Sequence, residues 1–132
     1  MSFLPITDTI PTQPPVGAFS MIASGTIYRG NGVYLCGDNQ VKVPTDDNQR
    51  LFGIADYTKT DSEYISIYSV GNLVSCRLSA STIPSAGAFV GVIAGGYISQ
   101  DATYNSGAVV TKEASTNGGV GEILILGTEY VH

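Results

Sequence analysis

Acidic side chains are the residues of this sequence whose types and spacing come nearest to a catalytic arrangement. Asp46 and Asp47 are adjacent, and Asp56, Asp61 and Glu63 follow in one turn-rich stretch. Two carboxylates can act as general acid and base when one of them has a raised pKa. Adjacent acids in polar loops are usually solvated, and no neighbouring residue marks one of these for a raised pKa. We therefore predict no catalytic residues and a chain that is not an enzyme.

The sequence also lacks the residue patterns that nucleophilic catalysis, metal binding and phosphate binding require. The single histidine is His132, the last residue of the sequence, which is a poor candidate for an imidazole held beside a Ser or Cys nucleophile. Cys36 and Cys76 form no Cys-x-x-Cys pair, and the glycine-rich stretches 91–96 and 117–121 are not followed by Lys and Ser/Thr. We expect no metal, no cofactor, and cysteines that stay reduced.

Charge and hydropathy narrow the possible partners. The formal net charge is -5 and the 6 basic residues are scattered, which argues against nucleic acid. No apolar run approaches the roughly 18 to 20 residues of a membrane span, and no signal-peptide pattern is present. Charged residues make up only 13% of the chain, so we expect much of the surface to contact protein. The sequence predicts a protein made in a cytoplasm, with no membrane partner.

The elements that would position these residues are short strands. The 132 residues fit one domain, and 16 Gly and 6 Pro separate runs rich in Val, Ile, Thr and Tyr. Ile65 and Ile67 alternate onto one face, and Gly71-Asn72 predicts a two-residue hairpin turn into a strand over 73–78. In that strand Val74, Cys76 and Leu78 are expected to face inward together. The spacing favours an all-β fold, a closed or nearly closed small β-barrel or a sandwich.

Two stretches of the predicted barrel domain, 23–132, resemble each other in outline. Residues 52–55 match 106–109, and 63–67 match 122–126, in the same order along the chain. We interpret this as two related β motifs, 23–78 and 79–127, that share one core.

Residues 1–22 predict an extended N-terminal arm. Four prolines exclude a helix or a central strand, yet the segment is apolar. Its candidate protein-binding anchors are Phe3, Leu4, Ile6 and Ile10. They could form a strap across the chain's own core or an arm laid on a neighbouring subunit.

The order of several motifs resembles a family of bacteriophage capsid decoration, or cement, proteins. The matching segments are 24–28, 50–55, 63–71, 83–87 and 121–126. The resemblance implies a β-tulip-like barrel that forms a homotrimer on the outer surface of the expanded head, in the virion. There it would bridge neighbouring subunits of the major capsid protein, after synthesis in the host cytoplasm.

The eight tyrosines support an alternative function. A tyrosine-lined face could bind carbohydrate, because each ring offers an apolar surface and a polar tip. The alternative is thus a carbohydrate-binding module of a virion tail or a cell surface.

Overall fold

Strands form nearly all the regular structure of this chain. The computed structural model describes residues 3–7, 10, 15 and 17–127, and the all-β prediction is confirmed. A single 3-10 turn, Ala94–Gly96, is the helical element of the described residues. The ten strands are β1 (Ala18–Ala23), β2 (Gly32–Gly37), β3 (Gln40–Lys42), β4 (Gly53–Ala55), β5 (Tyr64–Tyr68), β6 (Leu73–Arg77), β7 (Phe89–Val92), β8 (Ile98–Ser99), β9 (Ala108–Lys112) and β10 (Val120–Ile125).

Strands β1 to β5, which we call the first unit, form a closed barrel. Their order around the barrel is β1-β3-β2-β4-β5, and β1 closes it by pairing parallel to β3 and antiparallel to β5. Alternate residues of each strand point inward. The barrel interior is therefore apolar, and it is filled by residues such as Met21, Val33, Val41, Ile65 and Ile67.

Strands β6 to β10, which we call the second unit, repeat the connectivity of the first. Their order is β6-β10-β9-β7-β8, so each strand has the same neighbours as the strand five places earlier, except that β6 and β8 are not paired as strands. All four pairings in this sheet are antiparallel, as are their counterparts in the barrel. The seam between β6 and β8 is closed only by a parallel bridge between Leu78 and Ile98, where the first unit has the parallel β1–β3 pair.

The correspondence extends to single hydrogen bonds. Asp61 Oδ1 accepts a hydrogen bond from the amide of Gly25 at 2.7 Å, just after β1. Asn117 Oδ1 accepts one from the amide of Ala80 at 3.0 Å, just after β6. A short side-chain acceptor thus fixes the same loop in both units, and the two units are structural copies of one motif.

The limits and register of the repeat differ from the sequence-based prediction. The units begin at Ala18 and Leu73, earlier than the predicted limits at 23 and 79. Ala18–Ala23 is a barrel strand, although all of it except Ala23 falls within the predicted arm, 1–22. All four prolines of 1–22 precede Ala18, so they do not prevent a strand there. Ile67 corresponds to Ile123, not to residue 126, so the predicted register is wrong.

The predicted hairpin at Gly71-Asn72 is also wrong. Strand β5 pairs with β1 and β4, whereas β6 pairs with β10, so residues 69–72 link two units instead of two paired strands. Both edges of β5 are already occupied in the closed barrel. The side-chain amide of Asn72 donates to the carbonyl oxygens of Ser69 and Gly17, each at 2.9 Å, and Gly71 takes a positive φ of 90°.

The core of the second unit is not made by the second unit alone. Leu51 and Ile54 of the first unit belong to the same buried cluster as its strands, as do Ile6 and Ile10. The two units are therefore joined by a continuous apolar interface, which fixes the positions of the surface features described next.

Candidate functional site

Residues 3–7 and 10, here called the N-terminal segment, form neither strand nor helix and lie against both units. Ile6 and Ile10 are buried in the core of the second unit. Phe3 is buried too, with its ring centroid 5.1 Å from that of Tyr97. Leu4 is 64% exposed. Of the four predicted anchors, the structure thus places three inside the chain and one at the surface.

Two arginines hold the backbone of this segment. Arg29 donates from Nη1 to the carbonyl oxygen of Ile6 at 2.8 Å, and it is itself positioned by an ion pair with Asp56 at 3.4 Å. Arg77 donates from Nε to the carbonyl oxygen of Leu4 at 2.6 Å. Hydrogen bonds from a charged donor are among the stronger ones in proteins. These two side-chain donors therefore fix much of the segment, which has no ladder of backbone hydrogen bonds like that of a strand.

Gly30 gives the segment room to approach the barrel. A Cβ at this position would lie 2.6 Å from Cδ1 of Ile6, and the residue has a positive φ of 95°. The amide of Ile6 donates to the carbonyl oxygen of Arg29 at 2.9 Å. Only glycine satisfies both the backbone conformation and this close contact.

A shallow groove of about 260 Å³ lies beside the exposed Leu4. It is lined by Arg77, by Tyr97 and by the loop over 116–119. Leu4 and this groove form one continuous surface of mixed polarity, which is suited to contact with another protein.

The predicted carboxylates Asp46 and Asp47 accept hydrogen bonds from backbone amides. Asp46 accepts from the amide of Asn48 at 2.9 Å, and Asp47 accepts from the amide of Ala94 at 3.0 Å. Asp47 thereby connects the polar loop of the first unit to the 3-10 turn of the second. This is a structural use of the Asp46-Asp47 pair.

Asp56 is the one buried carboxylate of the described residues, and it faces Arg29 and Tyr68. Burial raises the pKa of the Tyr68 hydroxyl, and the negative charge of Asp56 adds to that effect. The ring of Tyr68 packs against the core of the second unit. The contacts among Arg29, Asp56 and Tyr68 therefore stabilise the interface between the two units.

Glu63 accepts two hydrogen bonds from Thr60 in its loop. The backbone amide of Thr60 donates to Oε1 at 2.7 Å and its hydroxyl donates to the same oxygen at 2.9 Å. These bonds favour the charged form and lower the pKa of Glu63, the amide having the larger effect. A general acid needs a shift in the opposite direction.

The cysteines occupy different environments. Cys36 is exposed near the end of β2, whereas Cys76 is buried in the second unit. Burial raises the pKa of the Cys76 thiol, with a smaller contribution from the negative charge of Glu122. The described part of the chain contains no group of three or more His, Cys, Asp or Glu side chains arranged to hold a metal ion. Within the same residues, no helix has the length and apolar character to cross a membrane.

Two tyrosines flank a second groove, which lies on the outer face of β1 and β5. Tyr57 is 54% and Tyr64 is 71% exposed, and the groove of about 250 Å³ between them also contains Lys59 and the hydroxyl of Ser20. The ammonium group of Lys59 lies 6.0 Å from the centroid of the Tyr57 ring. This is the surface on which the tyrosine-based carbohydrate alternative can be tested.

The arginine contacts are not predictable from the sequence. In the sequence, Arg29 and Arg77 are two of several scattered basic residues. Their acceptors are backbone carbonyls that are distant in sequence. Ile6 precedes Arg29 by 23 positions, and Leu4 precedes Arg77 by 73. Carbonyl acceptors carry no residue-type signal, so no motif points to them.

Comparison with known proteins shows a likeness in fold and none in sequence family. No family model matches the chain, and no curated protein sequence matches it. The fold is similar to a crystal structure of the N base of head fiber gp8.5 from bacteriophage phi29. The two share 13% sequence identity at a TM-score of 0.59, over 87% of this chain and 98% of that chain. At this identity the likeness shows the fold, and it extends over both repeated units.

Proposed function

We propose that this chain is a non-catalytic structural protein of a bacteriophage head. In this proposal it is a cement protein that binds the outer surface of the expanded head as a homotrimer and bridges neighbouring major capsid protein subunits. The observation that carries the proposal is the fold shared with a head fiber base over nearly the whole of both chains. The low content of charged residues supports it, because a decoration protein covers much of its surface with protein.

The surface around Leu4 is the proposed contact with the capsid. Arg29 and Arg77 hold the backbone on both sides of Pro5, so the exposed Leu4 side chain is presented from an ordered segment. A contact that is already ordered loses little conformational entropy on binding. The groove bounded by Arg77 and Tyr97 offers polar and aromatic groups beside it.

Stabilisation of the head would follow from linkage. A protein that binds the expanded lattice and not the unexpanded one shifts the equilibrium toward the expanded form. A trimer presents three such contacts, and their combined affinity exceeds that of one contact by the effective-concentration effect. Single capsid subunits should therefore bind weakly and assembled shells tightly.

Cosedimentation tests the proposal directly. Purified protein is mixed with expanded heads that lack this chain and, separately, with unexpanded procapsids. Saturable binding to expanded heads alone is expected, with a copy number that matches the lattice. Absence of binding to expanded heads would contradict the cement role.

A pair of variants locates the contact. Leu4→Asp adds a charge to the proposed contact, whereas Thr7→Asp adds the same charge at another exposed position of the same segment. Head occupancy should fall at least about tenfold for Leu4→Asp, the scale expected when a charge replaces an apolar side chain at an interface, and stay near the wild-type value for Thr7→Asp. Equal occupancy of the two variants would exclude Leu4 as a capsid contact.

Carbohydrate binding is the second candidate, and the groove between Tyr57 and Tyr64 favours it. Exposed rings beside an ammonium group and a serine hydroxyl can stack on a sugar and bind its hydroxyl groups. A glycan array distinguishes the candidates. Reproducible binding that Tyr64→Ala removes, together with no binding to heads, would favour the carbohydrate module.

A further inference from the structure

The first unit contacts the second through its outer sheet face. Ile54 lies between inward-facing neighbours on β4, so its side chain points out of the barrel, and it is fully buried in the core of the second unit. Tyr68 packs against the same core. A Cβ on Gly32 would lie 2.8 Å from a methyl group of Val92 in the second unit. The outer face of the first unit thus covers one end of the second unit.

The first unit covers one end of the second unit. The equivalent end of the first-unit barrel is not covered. The strand registers make Phe19 the counterpart of Val74 and Leu35 the counterpart of Val92. Val74 and Val92 are both 0% exposed, whereas Phe19 and Leu35 are both 49% exposed. The ring of Phe52 lies beside that of Phe19, with 5.8 Å between centroids. We call Phe19, Leu35 and Phe52 the open mouth.

The outer face of the second unit also has an uncovered apolar surface. The positions that correspond to Gly32, Ile54 and Tyr68 are occupied by three apolar residues: Phe89, Val109 and Leu124. Phe89 is 56% exposed, and Val109 and Leu124 are half-buried. We call these three residues the outer patch. The outer patch is thus the part of the second unit that is equivalent to the face of the first unit that contacts the second.

We propose that copies of this chain associate head to tail, with the outer patch of one copy covering the open mouth of the next. This contact brings together the same two faces that join the units within a chain, but at a wider spacing, because Phe89 stands in place of Gly32 and Leu35 in place of Val92. Both surfaces are apolar and exposed, as the two sides of such an interface must be before association.

Charged residues border both surfaces. Arg50 lines the same surface depression as Leu35 and Phe52, and its guanidinium lies 4.0 Å from the centroid of the Tyr104 ring. Glu122 is on β10 two residues before Leu124 and on the same face, with Lys112 directly opposite it on β9. The opposite charges of Arg50 and Glu122 favour contact between the two unlike surfaces, and Lys112 offsets part of that effect.

Head-to-tail contact has a consequence for the assembly. It is heterologous, so each added copy leaves one open mouth and one outer patch unpaired until a ring closes. The inference deepens the self-association within the proposed function by naming its surfaces. It is tested without heads, so failure of head binding and failure of this interface are separate results.

Complementation between two variants tests the inference. Leu35→Asp places a charge in the open mouth and leaves the outer patch intact, and Phe89→Asp does the reverse. Thr26→Asp is the control, since it adds the same charge at an exposed loop position outside both surfaces. Circular dichroism verifies that each variant retains its β structure, and sedimentation velocity gives the masses.

We expect the wild type and Thr26→Asp to form oligomers, and each of the two interface variants to sediment as a 13.8 kDa monomer. A charge in the centre of an interface should weaken association roughly 30-fold or more. An equimolar mixture of Leu35→Asp and Phe89→Asp should form a 1:1 dimer that grows no further, because each variant supplies the surface that the other lacks. A monomeric wild type, interface variants that keep the wild-type mass, or a mixture that stays monomeric would each overturn the inference.

Discussion

Shortening Ile6 to alanine tests whether the N-terminal segment is part of the core. The side chain is 2% exposed and belongs to the buried cluster of the second unit. Ile6→Ala removes the three carbons beyond Cβ, a transfer loss of about 2.4 kcal/mol at about 0.8 kcal/mol each, and the cavity brings the total to about 3 kcal/mol. We expect the free energy of unfolding, from urea titration followed by circular dichroism, to fall by that amount.

Two further variants make this measurement decisive. Ile6→Val leaves most of the side chain in place and should cost about 1 kcal/mol. Leu4→Ala also removes three carbons, but from a side chain that is 64% exposed, so its cost should stay below about 0.5 kcal/mol. The reasoning is refuted if Ile6→Ala destabilises the protein no more than Leu4→Ala does, because the segment would then contribute nothing to the core.

Three more results are expected from individual positions. Gly91→Ala should abolish soluble expression, because its Cβ would overlap the backbone carbonyl of Tyr104, and solubility in a lysate measures this. Cys36 should react with a thiol reagent in the native state and Cys76 only after unfolding, because Cys76 is buried and its pKa is raised; stoichiometric labelling followed by mass spectrometry shows which thiol reacts. Glu63 should titrate below its usual 4.5 in a carbon-detected NMR titration, because hydrogen bonds in its loop favour the carboxylate. Since that folded-state pKa is depressed, its stabilising contribution is complete above the unfolded-state value and is lost as the pH falls through the folded-state value.

The inward faces of the strands can be predicted from sequence because they depend on local alternation. Alternation predicts that Val74, Cys76 and Leu78 face inward together, and all three are fully buried. It also predicts that Ile65 and Ile67 share a face, and they do so inside the barrel. Apolar residues recur at every second position of a half-buried strand, so the strand and its buried face can be predicted without knowledge of the partner strand.

Strand partners are less predictable because they depend on the whole topology. Gly71-Asn72 has the composition of a hairpin turn, yet both edges of the preceding strand are taken by distant segments. The repeat is visible in outline, but glycine and alternating apolar residues match in several registers, so the sequence aligns 67 with 126 and not with Ile123. The bonds from Arg29 and Arg77 to backbone carbonyls escape prediction for the related reason that an acceptor carbonyl has no sequence signature.

The difference between the two units explains why the N-terminal segment, which contains Pro5, is part of the structure. The first unit closes its barrel by the parallel pairing of β1 and β3, whereas the second has a single bridge at the same seam. Phe3 and Leu4 contact Tyr97 and Arg77, residues directly before β8 and at the end of β6, so the segment lies at this seam. A proline-containing chain cannot supply a full backbone ladder. It contributes buried side chains and carbonyl acceptors for arginine instead, and the exposed side chain of Leu4 stays available to a partner while the same segment completes the second unit.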